Sequence, residues 1–284
     1  MTRANHSPAP EPMQSLTRAG MAVLLVLAVL NGGFLFFVPA EAEADYAWAI
    51  KPPVSAAFMG AGYLAGAVAT GLGVFVASYW RSVRGFVPAF AVLGVALISA
   101  TLIHADKFRW DYAPTWGWTI VYAAIPPLAI YFWLTERRAA RDEPRPERDP
   151  GLGVIGLVLV GTGMLLLAVA IALFVAPAEL LEDWPWPVTP LLARVFAGWY
   201  ALSAVALVFG GRTVRRAHEL PIPCLTVSCW SLLVLLLPLL YSETVNTEAP
   251  LFIPFIALHA LTATVCAVAA VRAISLARGT GRGL

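Results

Sequence analysis

Long apolar stretches alternate with short polar loops along this amino-acid sequence. A helix needs about 20 predominantly apolar residues to cross the hydrocarbon core of a bilayer, which is about 30 Å thick. Eight stretches meet this requirement, and we number the helices that they predict from 1 to 8 in chain order. They cover residues 20–38, 54–79, 86–103, 116–134, 152–176, 187–210, 222–241 and 251–271. The pattern predicts an all-α integral membrane protein with eight transmembrane helices.

The second half of the chain resembles the first when each residue is compared with the one 138 positions later. The identical pairs are Asp45 and Asp183, Trp48 and Trp186, Pro52 and Pro190, Phe58 and Phe196, Gly60 and Gly198, and Leu64 and Leu202. Because each half holds four helices, an even number, both halves enter the membrane from the same side. We therefore expect two parallel four-helix repeats, related by an axis along the membrane normal.

Polar segments flank and separate these two halves. Residues 1–17 contain three prolines among polar residues, a composition typical of disorder, and are predicted to form a disordered cytoplasmic tail. The first four-helix repeat then covers 18–134 and the second covers 152–276. A charged cytoplasmic linker at 135–151 joins them, and a cytoplasmic tail at 277–284 ends the chain.

The positions of Lys and Arg predict the orientation of the chain in the membrane. Fifteen of the 19 basic residues fall on the side of the N-terminus, and loops rich in Lys and Arg stay in the cytoplasm. Both termini are therefore expected to be cytoplasmic, in a multi-pass protein of the cell membrane. A cleaved signal peptide is the alternative for helix 1, because Ala40, Glu41 and Ala42 resemble a cleavage site. The likeness of helix 1 to helix 5 favours an uncleaved chain.

Composition agrees with a membrane protein and narrows its partners. Sixty per cent of the residues are hydrophobic and 13% are charged, whereas soluble domains have about 45–50% and about 25%. The mean hydropathy is +0.76. A net charge of +2 gives a nucleic-acid partner no electrostatic support. The composition thus excludes a soluble or disordered protein and leaves the lipid bilayer and a small solute as the expected partners.

Arg194 is the clearest candidate functional residue, because a charged group at membrane depth is costly and seldom retained without a role. It lies eight residues past Trp186, or about 12 Å along a helix. The first choices of partner are Asp106 and Glu243, at the outer ends of helices 3 and 7, and the other candidates are Glu182 and Asp183 in the outer loop after helix 5. An ion pair between the halves, a site for a substrate anion, and an arginine that reaches the interface all remain open.

Two histidines extend this candidate site. His104 ends helix 3, and His259 lies about nine residues into helix 8. The predicted ligand or ion-pair site therefore comprises Arg194, Asp106, Glu243, His104 and His259. Trp48, Trp184 and Trp186 lie beside the outer loops and are predicted to anchor the helices at the membrane interface, where tryptophan is enriched.

The function expected from these features is a small permease or solute-binding membrane protein, with an outward-facing site between the repeats. One alternative is a non-transporting accessory or scaffold subunit. A second is a redox protein that binds haem or quinone through His104 and His259. The sequence lacks GxSxG, HExxH and P-loop motifs, and its three cysteines form no CxxC pair. We therefore predict no catalytic residue, metal or cofactor.

Overall fold

The computed structural model describes residues 12–139 and 147–279, and long helices dominate this part of the chain. We label them α1 (Ser15–Phe37), α2 (Pro53–Phe75), α3 (Phe86–Ile103), α4 (Ala113–Ala139), α5 (Leu152–Val175), α6 (Pro190–Thr213), α7 (Pro221–Leu240) and α8 (Phe252–Gly279). All eight are long and apolar enough to cross a membrane. The prediction of an all-α protein with eight transmembrane helices is confirmed.

Helices α1, α4 and α8 extend beyond the predicted segments on the side where α1 begins and α8 ends, which we call the terminal side. Helix α1 begins at Ser15, and α4 continues to Ala139. The buried Glu136 carboxylate explains both extensions, because it accepts hydrogen bonds from the Gln14 N–H, at 3.2 Å, and the Thr17 hydroxyl, at 2.6 Å. Residues 12–17 thus belong to the folded protein. Residues 277–279 of the predicted C-terminal tail likewise belong to α8. Of the predicted tails and linker, residues 1–11, 140–146 and 280–284 lie outside the described residues.

Four helices form the centre of the bundle and four lie outside them. Helix α2 packs against α7 and α6, and α3 packs against α6. The outer helices α1, α4, α5 and α8 pack on α2, α3, α6 and α7 respectively. Most of α6 is buried in consequence, whereas few residues of α1 and α4 are buried. The side opposite the terminal side, which we call the distal side, holds the loops after α1, α3, α5 and α7.

The two halves of the chain make a similar backbone hydrogen bond between their distal loops. The N–H of Arg109 donates to the carbonyl of Ala47 at 3.1 Å, and that of Asn246 donates to the carbonyl of Pro185, 138 positions after Ala47, at 2.7 Å. Near the centre, the rings of Phe58 and Phe196 lie 4.2 Å apart. The internal duplication stays a prediction, and these matching contacts support it.

Helices α5 and α6 meet backbone to backbone at two glycines. A Cβ atom at Gly156 would fall on the backbone of Gly211, and one at Gly211 would fall on that of Gly156. Both residues are buried. Because no side chain fits between the two backbones, these glycines set the distance between the helices.

Gly156→Ala is therefore expected to lower the free energy of unfolding by about 1–3 kcal/mol, the usual cost of overpacking. The matched control is Gly161→Ala in the same helix, where an added Cβ meets nothing within 4 Å. Alanine there should leave stability unchanged or raise it slightly, because it restricts the unfolded chain. Unfolding in mixed detergent micelles measures both variants, and equal effects would contradict the close α5–α6 contact.

Candidate functional site

Arg194 and His104 meet at the distal side, between the two halves of the chain. Arg194 is the fifth residue of α6, and His104 immediately follows α3. Packing of α3 against α6 brings Arg194 Nη1 within 2.8 Å of His104 Nε2. The guanidinium has only donors, so the histidine nitrogen accepts this hydrogen bond. Both side chains are half-buried.

Burial and the neighbouring positive charges favour the neutral form of His104. Burial lowers the pKa of His104 below its ordinary value, and the positive charges of Arg194 and Lys107 lower it further, against the opposing effect of Asp106. An imidazole with a lowered pKa stays unprotonated at neutral pH, which fits its role as acceptor. The pair therefore carries one net positive charge, that of Arg194.

The predicted carboxylate partner of Arg194 is wrong. Among the described residues, no Asp or Glu oxygen comes within the 4.0 Å of an ion pair with Arg194. Asp106 instead binds the neighbouring Lys107 at 2.9 Å, and both side chains are largely exposed. Glu243 is also exposed, in the loop after α7. Packing of α3 on α6 explains the difference, because it presents the His104 ring to Arg194.

Most N–H donors of the Arg194 guanidinium have no hydrogen-bond partner among the described residues. Its Nε atom is buried and has no hydrogen-bond partner among the described residues. Of five N–H donors, the hydrogen bond to His104 uses one. The Arg194 guanidinium can therefore bind an oxyanion, since a guanidinium binds carboxylate or phosphate through two parallel hydrogen bonds.

His259 belongs to a different environment from the other four candidate residues. It is fully buried in α8, and a 2.8 Å hydrogen bond joins its Nε2 to the hydroxyl of Tyr200. The rings of Phe255 and Trp230 lie 4.8 and 5.1 Å from the imidazole. Tyr200 is six residues after Arg194, about 9 Å further along α6. The two histidines thus do not converge, and the haem or quinone alternative gains no support from their geometry.

The predicted interface anchors Trp48, Trp184 and Trp186 are core residues instead. They are 2%, 7% and 1% exposed, so lipid headgroups do not reach them. Trp186 Nε1 donates to the Ser55 hydroxyl at 3.1 Å, and the Trp48 ring packs edge-on against that of Trp118. The distal loops fold over these rings and remove them from the surface.

Other tryptophans do reach the surface at the distal side. Trp110 and Trp116 are 37% and 52% exposed, and their rings pack edge-on against each other. The indole nitrogen of Trp110 donates to the backbone carbonyl of Ala105, and that of Trp116 donates to the backbone carbonyl of Trp110. These two residues have the exposure that an interface anchor requires.

An ion-pair cluster on the terminal side has no signal in the sequence. The Glu219 carboxylate, buried just before α7, binds Arg84 at 2.8 Å and lies 3.9 Å from Arg81. The Arg84 guanidinium also donates to the carbonyl of Thr213. Because Arg81 and Arg84 precede α3 and Glu219 follows α6, this cluster ties the two halves together. Only the tertiary fold brings these distant residues into contact.

A second feature without a sequence signal is an apolar cavity of about 370 Å³ between α1, α3 and α4. Its walls include Leu24, Leu27, Phe90, Ile120, Leu128 and Phe132. The cavity lies within the membrane-spanning segments and away from the Arg194–His104 pair, which is on the distal side. Its volume is in the range of small-molecule sites, about 300–1,000 Å³.

Neither models of protein families nor curated proteins nor solved structures match this chain. Within the described residues, no group of three or more His, Cys, Asp or Glu side chains is placed to hold a metal ion.

Proposed function

We propose that this multi-pass membrane protein binds an anionic solute at its distal side, with Arg194 as the charged ligand and His104 as its positioning residue. The observation that supports this proposal is that the Arg194 guanidinium faces a neutral ring, with no described carboxylate within 4.0 Å. An arginine stays charged in any protein site. A carboxylate or phosphate group of a solute would supply the missing negative charge.

The position of the pair suits a protein that moves its solute. His104 follows α3 in the first half, and Arg194 lies in α6 in the second half. A movement of one half against the other would change the distance between the two side chains. In alternating access, such a movement opens and closes a site between repeats. A permease is therefore our first candidate, and a solute-binding protein without transport uses the same site.

The direct test measures anion-induced stabilisation of the purified protein. Inorganic phosphate and succinate, as probes for the two oxyanion classes, should raise the melting temperature above that in potassium chloride of equal ionic strength. A ligand present at 100 times its Kd stabilises the folded state by about 2.7 kcal/mol. If neither probe shifts the melting temperature, the accessory or scaffold alternative takes precedence.

The proposal also places the distal side outside the cell. The excess of basic residues on the terminal side supports this orientation. In a variant whose three native cysteines are replaced by serine, an impermeant thiol reagent applied to intact cells should label Glu248→Cys and spare Arg141→Cys. Glu248 is exposed in the distal loop before α8, and Arg141 lies in the linker between α4 and α5. Labelling of Arg141→Cys but not of Glu248→Cys would show the opposite orientation and contradict this prediction.

A further inference from the structure

We propose that the apolar cavity between α1, α3 and α4 holds one hydrocarbon chain of an anionic phospholipid, whose phosphate is bound by Arg138. This lipid site is separate from the proposed solute site. It lies between helices of the first half and towards the terminal side, whereas Arg194 lies in α6 near the distal side.

The walls of the cavity select an apolar occupant. The side chains around it are aliphatic or aromatic, apart from the Thr17 hydroxyl. That hydroxyl donates to Glu136 at 2.6 Å, so its proton is not available to a ligand in the cavity. A large cavity with apolar walls stays free of water and takes apolar ligands. A hydrocarbon chain has this chemistry and is present at high concentration at this depth of a membrane.

The cavity opens towards the lipid and is closed at the terminal side. Val23, Ile120 and Leu128 line it and are also 61%, 62% and 50% exposed, so its rim lies on the outer surface of the bundle. At the terminal end, Gly20 lies against the Phe132 ring, and the hydrogen bond between Thr17 and Glu136 joins α1 to α4. A ligand therefore enters sideways from the bilayer.

The other half of the chain packs differently at the corresponding place. There α5 packs directly against α8, the helices that match α1 and α4 in the predicted repeat. Among the described helices, α1 and α4 thus border a cavity where α5 and α8 contact each other.

Helix α4 provides a cation beyond the terminal end of the cavity. Counted from the rim residue Leu128, which follows Pro126 and Pro127, Arg138 is ten residues further on and turned by about 80°, whereas Arg137 is nine residues on and turned by about 180°. Arg138 follows Phe132 by six residues, or about 9 Å along the axis. Arg138 is exposed, and juxtamembrane cations attract anionic lipids by about 1 kcal/mol each. Arg137 is also exposed but points about 100° away, because successive residues turn by that angle.

The test counts phospholipids bound to the purified protein by native mass spectrometry. Dioleoyl phosphatidylglycerol is the anionic probe, and dioleoyl phosphatidylcholine, with the same chains, is the zwitterionic probe. The full-length protein should retain one phosphatidylglycerol molecule under detergent washing that removes loosely attached lipid. Equal retention of the two lipids would overturn the assignment of the phosphate to Arg138.

Two variants of the cation separate the headgroup contact from general attraction. Arg138→Gln should weaken retention of phosphatidylglycerol about fivefold, the equivalent of one lost cation contact, and leave phosphatidylcholine unchanged. Arg137→Gln removes the same charge from the other face and should have little effect. If the two variants weaken retention equally, the lipid is held by diffuse charge, and the Arg138 site is wrong.

Filling the cavity tests the position of the chain. Ala124→Phe places a ring in the cavity, and Ala129→Leu adds a smaller volume if the first variant folds poorly, because both alanines line the wall. Either change should abolish retention of both lipids. The matched control is Ala123→Phe, at an exposed position on α4 that is not part of the wall. Unchanged lipid retention in a folded cavity variant would refute the proposal.

Discussion

Replacement of Glu219 by alanine is expected to lower the free energy of unfolding by about 3–5 kcal/mol, because it removes one partner from a buried ion pair. The Glu219 side chain is 4% exposed, and those of Arg84 and Arg81 are 19% and 15% exposed. Without the carboxylate, two guanidinium groups remain close together, mostly shielded from water. The backbone N–H of Arg215 also loses its acceptor, which is 3.2 Å away.

Equilibrium unfolding in mixed detergent micelles measures this loss. The control is Glu43→Ala on the distal side, which removes a carboxylate 2.7 Å from Lys51 in a pair that is more than half exposed. Exposed pairs contribute about 0–1 kcal/mol, so this variant should unfold almost like the unmodified protein. Comparable stability of the two variants would mean that the Glu219 cluster does not hold the halves together.

Arg194→Gln is expected to weaken phosphate or succinate binding by at least about 30-fold, since truncation of one partner of a buried charge pair costs 2 kcal/mol or more. In the absence of an anion, the same variant should be as stable as the unmodified protein or more so. The reason is that it removes a half-buried charge with no described counter-ion. A structural ion pair predicts the opposite sign, a loss of several kcal/mol.

Two further variants make this result specific. Arg194→Lys keeps the charge but not the planar guanidinium, so it should restore only part of the affinity. Lys51→Gln removes another distal cation, one that already has a carboxylate partner at 2.7 Å, and should leave anion binding unchanged. Loss of stability in anion-free Arg194→Gln would favour the scaffold alternative over solute binding.

The eight helices could be predicted because hydropathy is a local property. Each apolar run specifies its own helix, and the bilayer sets its minimum length. The ends of the runs were harder to predict, as α1 and α4 show. Their terminal turns are polar, and they become helical because Thr17 and Glu136 meet across 119 positions of sequence. No pattern within either segment contains that contact.

The site could be predicted only in part, for a similar reason. The cost of a charge at membrane depth singles out Arg194 from sequence alone, and the fold brings His104, another predicted member of the site, within 2.8 Å of it. The choice of partner depends on how α3 sits on α6, which places an imidazole where a carboxylate was expected. The prediction for Trp48 and Trp186 used the average enrichment of tryptophan at membrane interfaces. Whether a particular ring is exposed there depends on how the distal loops fold, and these two rings are covered. The cavity between α1, α3 and α4 depends on how these helices pack, so the sequence of any one helix does not predict it.

The burial of the distal tryptophans has an optical consequence. Indole emission shifts to longer wavelength and becomes open to quenchers when the ring meets water, and the rings of Trp48, Trp184 and Trp186 are covered in the folded chain. Trp110 and Trp116 are reached by a soluble or lipid-bound quencher without unfolding, because their rings are exposed. The distal side therefore contains both shielded and exposed indoles, and opening of the distal loops would expose the rings of Trp48, Trp184 and Trp186.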